Sequence, residues 1–218
     1  MNDRKAIMKE IKSLTSSLID QSISINQNFP LYADNEVNWE NYSNMAFILK
    51  NESYEKIYNA CIEAKDYNIM LLDGGFLQFK YQFKRNKIES HVLGYFPNPN
   101  FERFQDNPEF FEELYFGNEL FTDIFDDKQV IFPVRFDFSD VHTEIIHPRA
   151  HATLGNYKDC RIPISHPVSP KRFTSFILQN FYNTKFVKNN LFEELKSNIR
   201  FDECITENEK KIIHLAYE

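Results

Sequence analysis

The stretch GFLQFKYQFKRNKIESHVLGYF, residues 75–96, decides the fold of this chain. Its first half places apolar and polar side chains at alternate positions, the period-two pattern of a strand with one buried face. The turn falls at residues 84–87, and residues 88–96 return as a second strand. The apolar positions of the first strand are Leu77, Phe79, Tyr81 and Phe83. The stretch therefore predicts an antiparallel β-hairpin.

A second alternating run, residues 130–138, predicts another strand. Val134 and Phe136 point to one face, which leaves Arg135 and Asp137 on the face away from the core. Residues 141–147 are predicted to form its neighbouring strand, and residues 160–165 a further short strand.

The two ends of the chain show helical signals. Four apolar residues near the start follow helical spacing: Ile7, Ile11, Leu14 and Leu18. Near the end, Thr206 and Glu209 match the capping box that begins many helices. Residues 22–44 are rich in Asn and Ser and are interpreted as irregular.

These patterns predict an α+β fold with a mostly antiparallel sheet of about four to six strands. Helices are expected to pack on one face of that sheet. We expect a single domain over residues 1–218, divided into three parts. These are a helical N-terminal part at 1–70, a sheet core with the candidate site at 75–182, and a helical tail at 190–218.

The composition limits the class of protein. The chain has 218 residues, of which 22 are Phe, so a dense aromatic core is expected. The net charge of −7 disfavours a general nucleic-acid coat protein. No apolar run approaches the roughly 20 residues of a membrane span. Cys61, Cys160 and Cys204 are widely spaced and odd in number, which predicts reduced thiols in a cytoplasmic protein.

Residues 101–127 combine many acidic and many aromatic side chains. One short helix cannot bury so many aromatic side chains alone. This segment is therefore expected to cover a sheet edge or to bind a protein partner. The simpler interpretation is a solvated acidic face, with a second, basic face at residues 147–172.

The candidate site centres on His147 and His151. Pro148 disfavours helix at His147, so the chain must turn there and re-aim its side chains. Arg161 adds a positive charge within twenty residues of His147. We expect these three side chains to face a common cleft that could bind a phosphate or sulfate, supported by Arg135 or Asp137 on the neighbouring strand.

The run around this site also resembles a known family. His147-Pro148-x-x-His151 with Gly155, Cys160-Arg161-Ile162-Pro163 and Ser169-Pro170 is similar to the bacterial family called domain of unknown function 2290. The likeness extends back through residues 75–83 and 91–97, about the second to fourth fifths of the chain. It implies a bacterial protein and carries no known activity.

Two metal-based alternatives remain open. Four zinc-competent side chains, His147, His151, Cys160 and His166, lie within twenty residues, but they lack the tight pairs of structural zinc sites. Asp73 with the run from Gln78 to Lys80 faintly matches a metal-dependent nuclease pattern, although a Gly-Gly turn explains it more simply. We expect no metal and no other cofactor. The simplest interpretation of the histidines is hydrogen bonding to local backbone.

Metal-independent cleavage of a phosphodiester is the sharper hypothesis. Histidine suits the two proton transfers because it titrates near neutral pH, and arginine suits the charged phosphorane. On this hypothesis the protein is a toxin-like or phage-defence effector that acts on RNA or another nucleotide substrate. The alternative is a non-catalytic adaptor that binds another protein of a defence or toxin–antitoxin complex.

Overall fold

The computed structural model describes residues 3–48, 51–99, 131–155, 157 and 159–217. The acidic, aromatic segment 101–127 lies outside these residues, so the partner expected there stays a prediction. Within the described part, no helix is long and apolar enough to cross a membrane. The helices are α1 (Asp3–Asp20), α2 (Met45–Ile48), α3 (Tyr54–Glu63), α4 (Pro170–Phe181), α5 (Asn183–Lys188) and α6 (Leu191–Glu194), with a 3-10 turn at Glu209–Lys211.

The strands of the described residues form one antiparallel sheet. Its main path runs β1, β4, β5, β6, β7, β8, β9, while β2 and β3 form a hairpin attached to β5. The strands are β1 (Ser24–Gln27), β2 (Pro30–Ala33), β3 (Glu36–Trp39), β4 (Ile69–Leu71), β5 (Phe76–Lys84), β6 (Lys87–Phe96), β7 (Val134–Ser139), β8 (Ala150–Leu154) and β9 (Ile162–Pro163). The predicted α+β class and antiparallel sheet are confirmed.

The predicted hairpin is the pair β5–β6, which runs from Phe76 opposite Phe96 to Lys84 opposite Lys87 with one shift of register between Gln82 and Phe83. Arg85 and Asn86 make the turn with φ of +51° and +64°. Positive φ at both central residues is the geometry of the two-residue turn whose twist matches a hairpin.

The main core lies on one face of the sheet, under α1 and α4. The inward residues of β5 and β7 are fully or nearly fully buried, and they pack with the apolar faces of both helices. Phe136 contacts Phe173 and Phe176 of α4, with ring centroids 5.2 and 5.0 Å apart. Ser169 caps α4 by accepting the N–H of Arg172, and Pro170 occupies its first turn.

A smaller cluster shows that helices cover both faces, whereas the sequence predicted one. Tyr58 of α3 stacks on Phe76, and Phe76 stacks on Phe96. Leu77, the next residue of β5, belongs to the main core. Because successive strand residues point to opposite faces, α3 lies on the face opposite α1 and α4.

The described sheet has nine strands, more than the four to six predicted. The difference arises mainly at residues 22–44, interpreted as irregular, where β1, β2 and β3 form. Asp34 and Asn35 join β2 to β3 with φ of +50° and +64°, the same turn geometry as in the central hairpin. The N-terminal part at 1–70, which was predicted to be helical, therefore contains β-strands as well as helices.

The helical tail predicted at 190–218 is wrong for most of its length. After α6 the described chain has no regular secondary structure apart from the 3-10 turn, and Leu215 pairs in parallel with Ile164 beside β9. The capping box itself forms: Thr206 accepts the N–H of Glu209, and Glu209 accepts the N–H of Thr206. Only one turn follows it, because the chain next binds the sheet through Leu215.

Candidate functional site

One row of side chains crosses the sheet on the face opposite the main core. Lys80 of β5 pairs with Val92 of β6, Val92 with Asp137 of β7, and Asp137 with His151 of β8. Directly opposed residues of antiparallel strands point to the same face. The register of the sheet therefore places Asp137 and His151 side by side.

Four of the five candidate residues are in direct contact, and Arg161 lies beside them; we call these five residues the His–Asp–Arg cluster. Asp137 is at its centre: its Oδ2 lies 3.1 Å from Nη2 of Arg135 and 3.7 Å from Nε2 of His151. The rings of His147 and His151 have centroids 4.9 Å apart in an edge-to-face arrangement. The positive charge of Arg161 lies near enough to His151 to affect its titration. Their catalytic role stays a prediction.

The hydrogen bonding of His151 determines its tautomer. Its Nδ1 lies 2.9 Å from the carbonyl oxygen of Pro148, which can only accept, so Nδ1 carries the proton. In the neutral ring Nε2 then holds a free lone pair. That nitrogen makes no hydrogen bond to a described residue, and its distance to Asp137 exceeds hydrogen-bond length. Neutral His151 is thus arranged to accept a proton at Nε2.

The surroundings of His151 favour this neutral form. The residue is 4% exposed, and burial is the largest cause that lowers its pKa. The carboxylate of Asp137 and the carbonyl of Pro148 oppose that shift, whereas His147 and Arg161 add to it. The net effect lowers the pKa, so the ring is uncharged at neutral pH.

His147 ends a tight turn, and the neighbouring strand predicted at 141–147 is wrong. Thr143 and His147 exchange two backbone hydrogen bonds of 2.9 and 2.7 Å, which close a three-residue turn. The neighbour of β7 is β8, so His151 lies within a strand and only His147 lies at a turn. The chain therefore reverses its direction over residues 144–146, before it reaches Pro148.

The two arginines flank the cluster and keep unused donors. Arg135 has a side chain 42% exposed, and its buried Nε has no hydrogen-bond partner among the described residues. Arg161 donates to the carbonyl of Ile146 at 3.4 Å and lies 3.7 Å from Asp159. Guanidinium groups of this kind can bind the oxygens of a phosphate in pairs.

The four zinc-competent side chains do not all meet: His147 and His151 pack on each other, whereas His166 has other partners. His166 bonds to Ser165 and packs on Tyr217. In the described part of the chain, no three His, Cys, Asp or Glu side chains lie close enough together to hold a metal ion.

The residues that match the metal-dependent nuclease pattern also bind different partners. Asp73 accepts from Gly75 and Tyr182, Gln78 donates to the backbone of Asp66, and Lys80 pairs with Glu36. These contacts hold the three side chains on separate partners.

Of the remaining histidines, His142 and His214 agree with the simplest interpretation, because each bonds to nearby backbone, whereas His91 bonds to backbone groups that are distant in the sequence. His91 lies in the core, His142 bonds to Asp140, and His214 bonds to Ile212. The cysteines of the described residues are free thiols.

Sequence reasoning missed one residue beside the site. Glu209 was interpreted only as half of a capping box, yet its carboxylate also accepts the N–H of Ile145, two residues before His147. The signal in the sequence was the box itself, because its Glu carboxylate has a second oxygen free for another donor.

Comparison with known proteins gives a family and no activity. No curated protein and no solved structure matches the chain. Residues 19–217 match the family described as Uncharacterized conserved protein (DUF2290), an extent wider than the second to fourth fifths expected. Because the match covers nearly the whole chain, the protein belongs to this family.

Proposed function

We propose that this chain cleaves RNA at the His–Asp–Arg cluster, as a toxin-like or phage-defence effector would. The observation that carries the proposal is the state of His151. This imidazole is held neutral, its Nδ1–H is bound to a backbone carbonyl, and its Nε2 has no described hydrogen-bond partner. A general base needs such an oriented lone pair.

The reaction requires two proton transfers and one displacement at phosphorus. Nε2 of His151 accepts the proton of a ribose 2′-hydroxyl, whose oxygen then attacks the adjacent phosphorus. The bond from phosphorus to the 5′-oxygen of the next nucleotide breaks. His147 in its protonated form gives a proton to that oxygen, and the products are a 2′,3′-cyclic phosphate and a 5′-hydroxyl.

The charges around the histidines support these steps. Asp137 lies 3.7 Å from Nε2 of His151, so it stabilises the imidazolium that forms when this ring gains a proton. Arg135 and Arg161 supply donors for the charge that develops on the phosphorane. His147 is only partly buried, so water can solvate its charged form.

A labelled single-stranded oligoribonucleotide tests the proposal, with a DNA oligonucleotide of the same sequence as the matched substrate. We expect cleavage of the RNA to a 2′,3′-cyclic phosphate in the presence of a chelator, and no cleavage of the DNA, which lacks the 2′-hydroxyl. His151→Ala should lower the rate by about 10²–10⁴-fold.

His214→Ala is the control variant, because His214 bonds to nearby backbone and takes no part in the cluster. Its rate should equal that of the unchanged protein. A folded protein that leaves every RNA intact, or a His151→Ala variant with full activity, would overturn the proposal. The first outcome would favour the adaptor hypothesis, in which residues 101–127 bind another protein.

A further inference from the structure

The turn that carries His147 has an unusual backbone at its tip. Thr143 and His147 close it through their reciprocal hydrogen bonds, and Ile145 lies at the middle with φ of +69°. A side chain branched at Cβ rarely adopts positive φ, because its two γ groups crowd the backbone. A non-glycine residue keeps this geometry only when its surroundings hold it there.

The carboxylate of Glu209 holds that tip. Glu209 is 1% exposed; its Oε1 accepts the N–H of Ile145 at 3.2 Å, and its Oε2 accepts the N–H of Thr206 at 2.9 Å. Thr206 in turn accepts the N–H of Glu209 at 3.2 Å. One buried carboxylate therefore joins the capping box near the C-terminus to the turn that ends at His147.

Two further contacts tie the same turn to its surroundings. Asn208, next to Glu209, donates to Glu144 at 3.3 Å. Arg161 donates to the carbonyl of Ile146 at 3.4 Å. The three residues 144–146 are thus each held from outside the turn, and the contact at Ile145 is the one made by a buried group.

We propose that Glu209 is a positioning residue that fixes the imidazole of His147 beside His151. The inference rests on the proposed function, because it assigns Glu209 a role in placing the group that protonates the leaving oxygen. Glu209 is buried and both of its carboxylate oxygens bind backbone N–H groups, so it acts through the backbone of residues 145–147. A proton donor displaced by about 1 Å can lower a rate by about 10²-fold.

Glu209→Gln tests the role with little change of shape. The amide offers one acceptor oxygen where the carboxylate has two, so either Ile145 or Thr206 loses its acceptor. Lys210→Gln is the matched control, because Lys210 lies in the same turn and, among the described residues, its side chain binds only the exposed Glu203 and Glu207. We expect Glu209→Gln to lower kcat by about 10–100-fold with KM nearly unchanged, and Lys210→Gln to change neither.

An imidazole NMR spectrum of the same variants gives a readout independent of cleavage. The resonances of His147 should move in Glu209→Gln, while those of His91 and His214 stay in place. If the unchanged protein cleaves no RNA, the proposed function fails and the shift of His147 alone decides the positioning role. Unmoved His147 resonances, or a kcat equal to that of Lys210→Gln, would overturn it.

Hydrogen exchange of the unchanged protein covers the case in which Glu209→Gln does not fold. A hydrogen-bonded Ile145 amide should exchange much more slowly than the exposed amide of an ordinary loop residue. Exchange at the rate of a free loop would show that the contact is absent and would overturn the inference.

Discussion

His91 and His151 are two buried histidines on opposite faces of the same sheet, and they differ in the hydrogen bonding of one ring nitrogen, Nε2. Both give Nδ1–H to a backbone carbonyl, that of Phe136 for His91 and that of Pro148 for His151. Nε2 of His91 also accepts the N–H of Val168 at 2.9 Å, whereas Nε2 of His151 has no described donor. A fully bonded histidine stabilises a core, and one with a free lone pair can do chemistry.

The surroundings of the two rings also differ: those of His91 are apolar, and those of His151 are polar. His91 packs between Tyr81 and Phe138 in the main core, where each neighbour adds buried apolar area. His151 meets His147 and the carboxylate of Asp137. The core face should therefore dominate stability, and the polar face should dominate activity.

Phe136→Ala should give the largest loss of stability. Its ring fills the core against α4, and emptying a space of that size lowers the free energy of unfolding by about 3–5 kcal/mol. Arg135→Ala, one position earlier on the polar face, should change it by about 1 kcal/mol or less. Urea unfolding of both variants measures the difference. Equal losses would contradict the division between the faces.

The pH dependence of stability should reveal His91. Burial lowers its pKa to about 3, against 6.5 in an unfolded chain, so the unfolded state binds more protons between these values. The stability that neutral His91 contributes to the folded state is fully present above pH 6.5. It is lost as the pH falls, by about 1.4 kcal/mol for each pH unit.

His91→Gln isolates this contribution. The amide can donate to Phe136 and accept from Val168 as the imidazole does, but it does not titrate. The free energy of unfolding, measured from pH 7 to pH 4, should fall less steeply in the variant. Parallel curves for the two proteins would refute the assignment.

Ile145→Asn should raise stability by about 1 kcal/mol. Asn tolerates the left-handed backbone found at this position, and a strained residue of this kind costs about 1–3 kcal/mol. Ile146→Asn is the control, because Ile146 is 69% exposed and does not share that backbone. Thermal unfolding compares them. A loss of stability at Ile145 would mean that its side chain contributes more than its backbone costs.

Asp137→Asn should have the smallest effect on stability, about 1 kcal/mol or less, and a clear effect on His151. The carboxylate raises the pKa of His151 against the stronger lowering by burial, so its removal should lower that pKa further. An NMR titration of the imidazole gives the direction. Glu193→Gln, an exposed carboxylate paired with Lys196, should leave His151 unchanged. A raised pKa in Asp137→Asn would contradict the arrangement.

Local periodicity was enough to predict the central part of the fold. Alternation over residues 76–83 and 134–138 predicted which side chains turn inward, because these two strands each have one wholly apolar face. Over residues 88–96 the prediction was wrong: Val92 was expected inward and is 42% exposed, whereas His91 was expected outward and is buried in the core. The short strands β1–β3 were missed, since four residues give too little alternation to detect. The tail was misassigned because its capping box begins only a single turn.

The candidate site followed partly from the same alternation. Arg135 and Asp137 were predicted on the outer face of a strand, and the sheet register then brings Asp137 beside His151. The bond from Ile145 to Glu209 joins residues 64 positions apart, and nothing local in the sequence specifies such a pairing.

The burial of α1 has a consequence for synthesis of the chain. Glu10 accepts hydrogen bonds from Lys171 at the start of α4 and from Ser197, which lies 187 residues later. At ribosomal speeds of roughly 5–20 residues per second, those partners emerge about ten to forty seconds after α1. Throughout that interval the apolar stripe of α1 lacks the part of its cover that α4 supplies, although the strands that also pack on it are synthesised earlier. The core around α1 is therefore completed only late in synthesis, when α4 arrives.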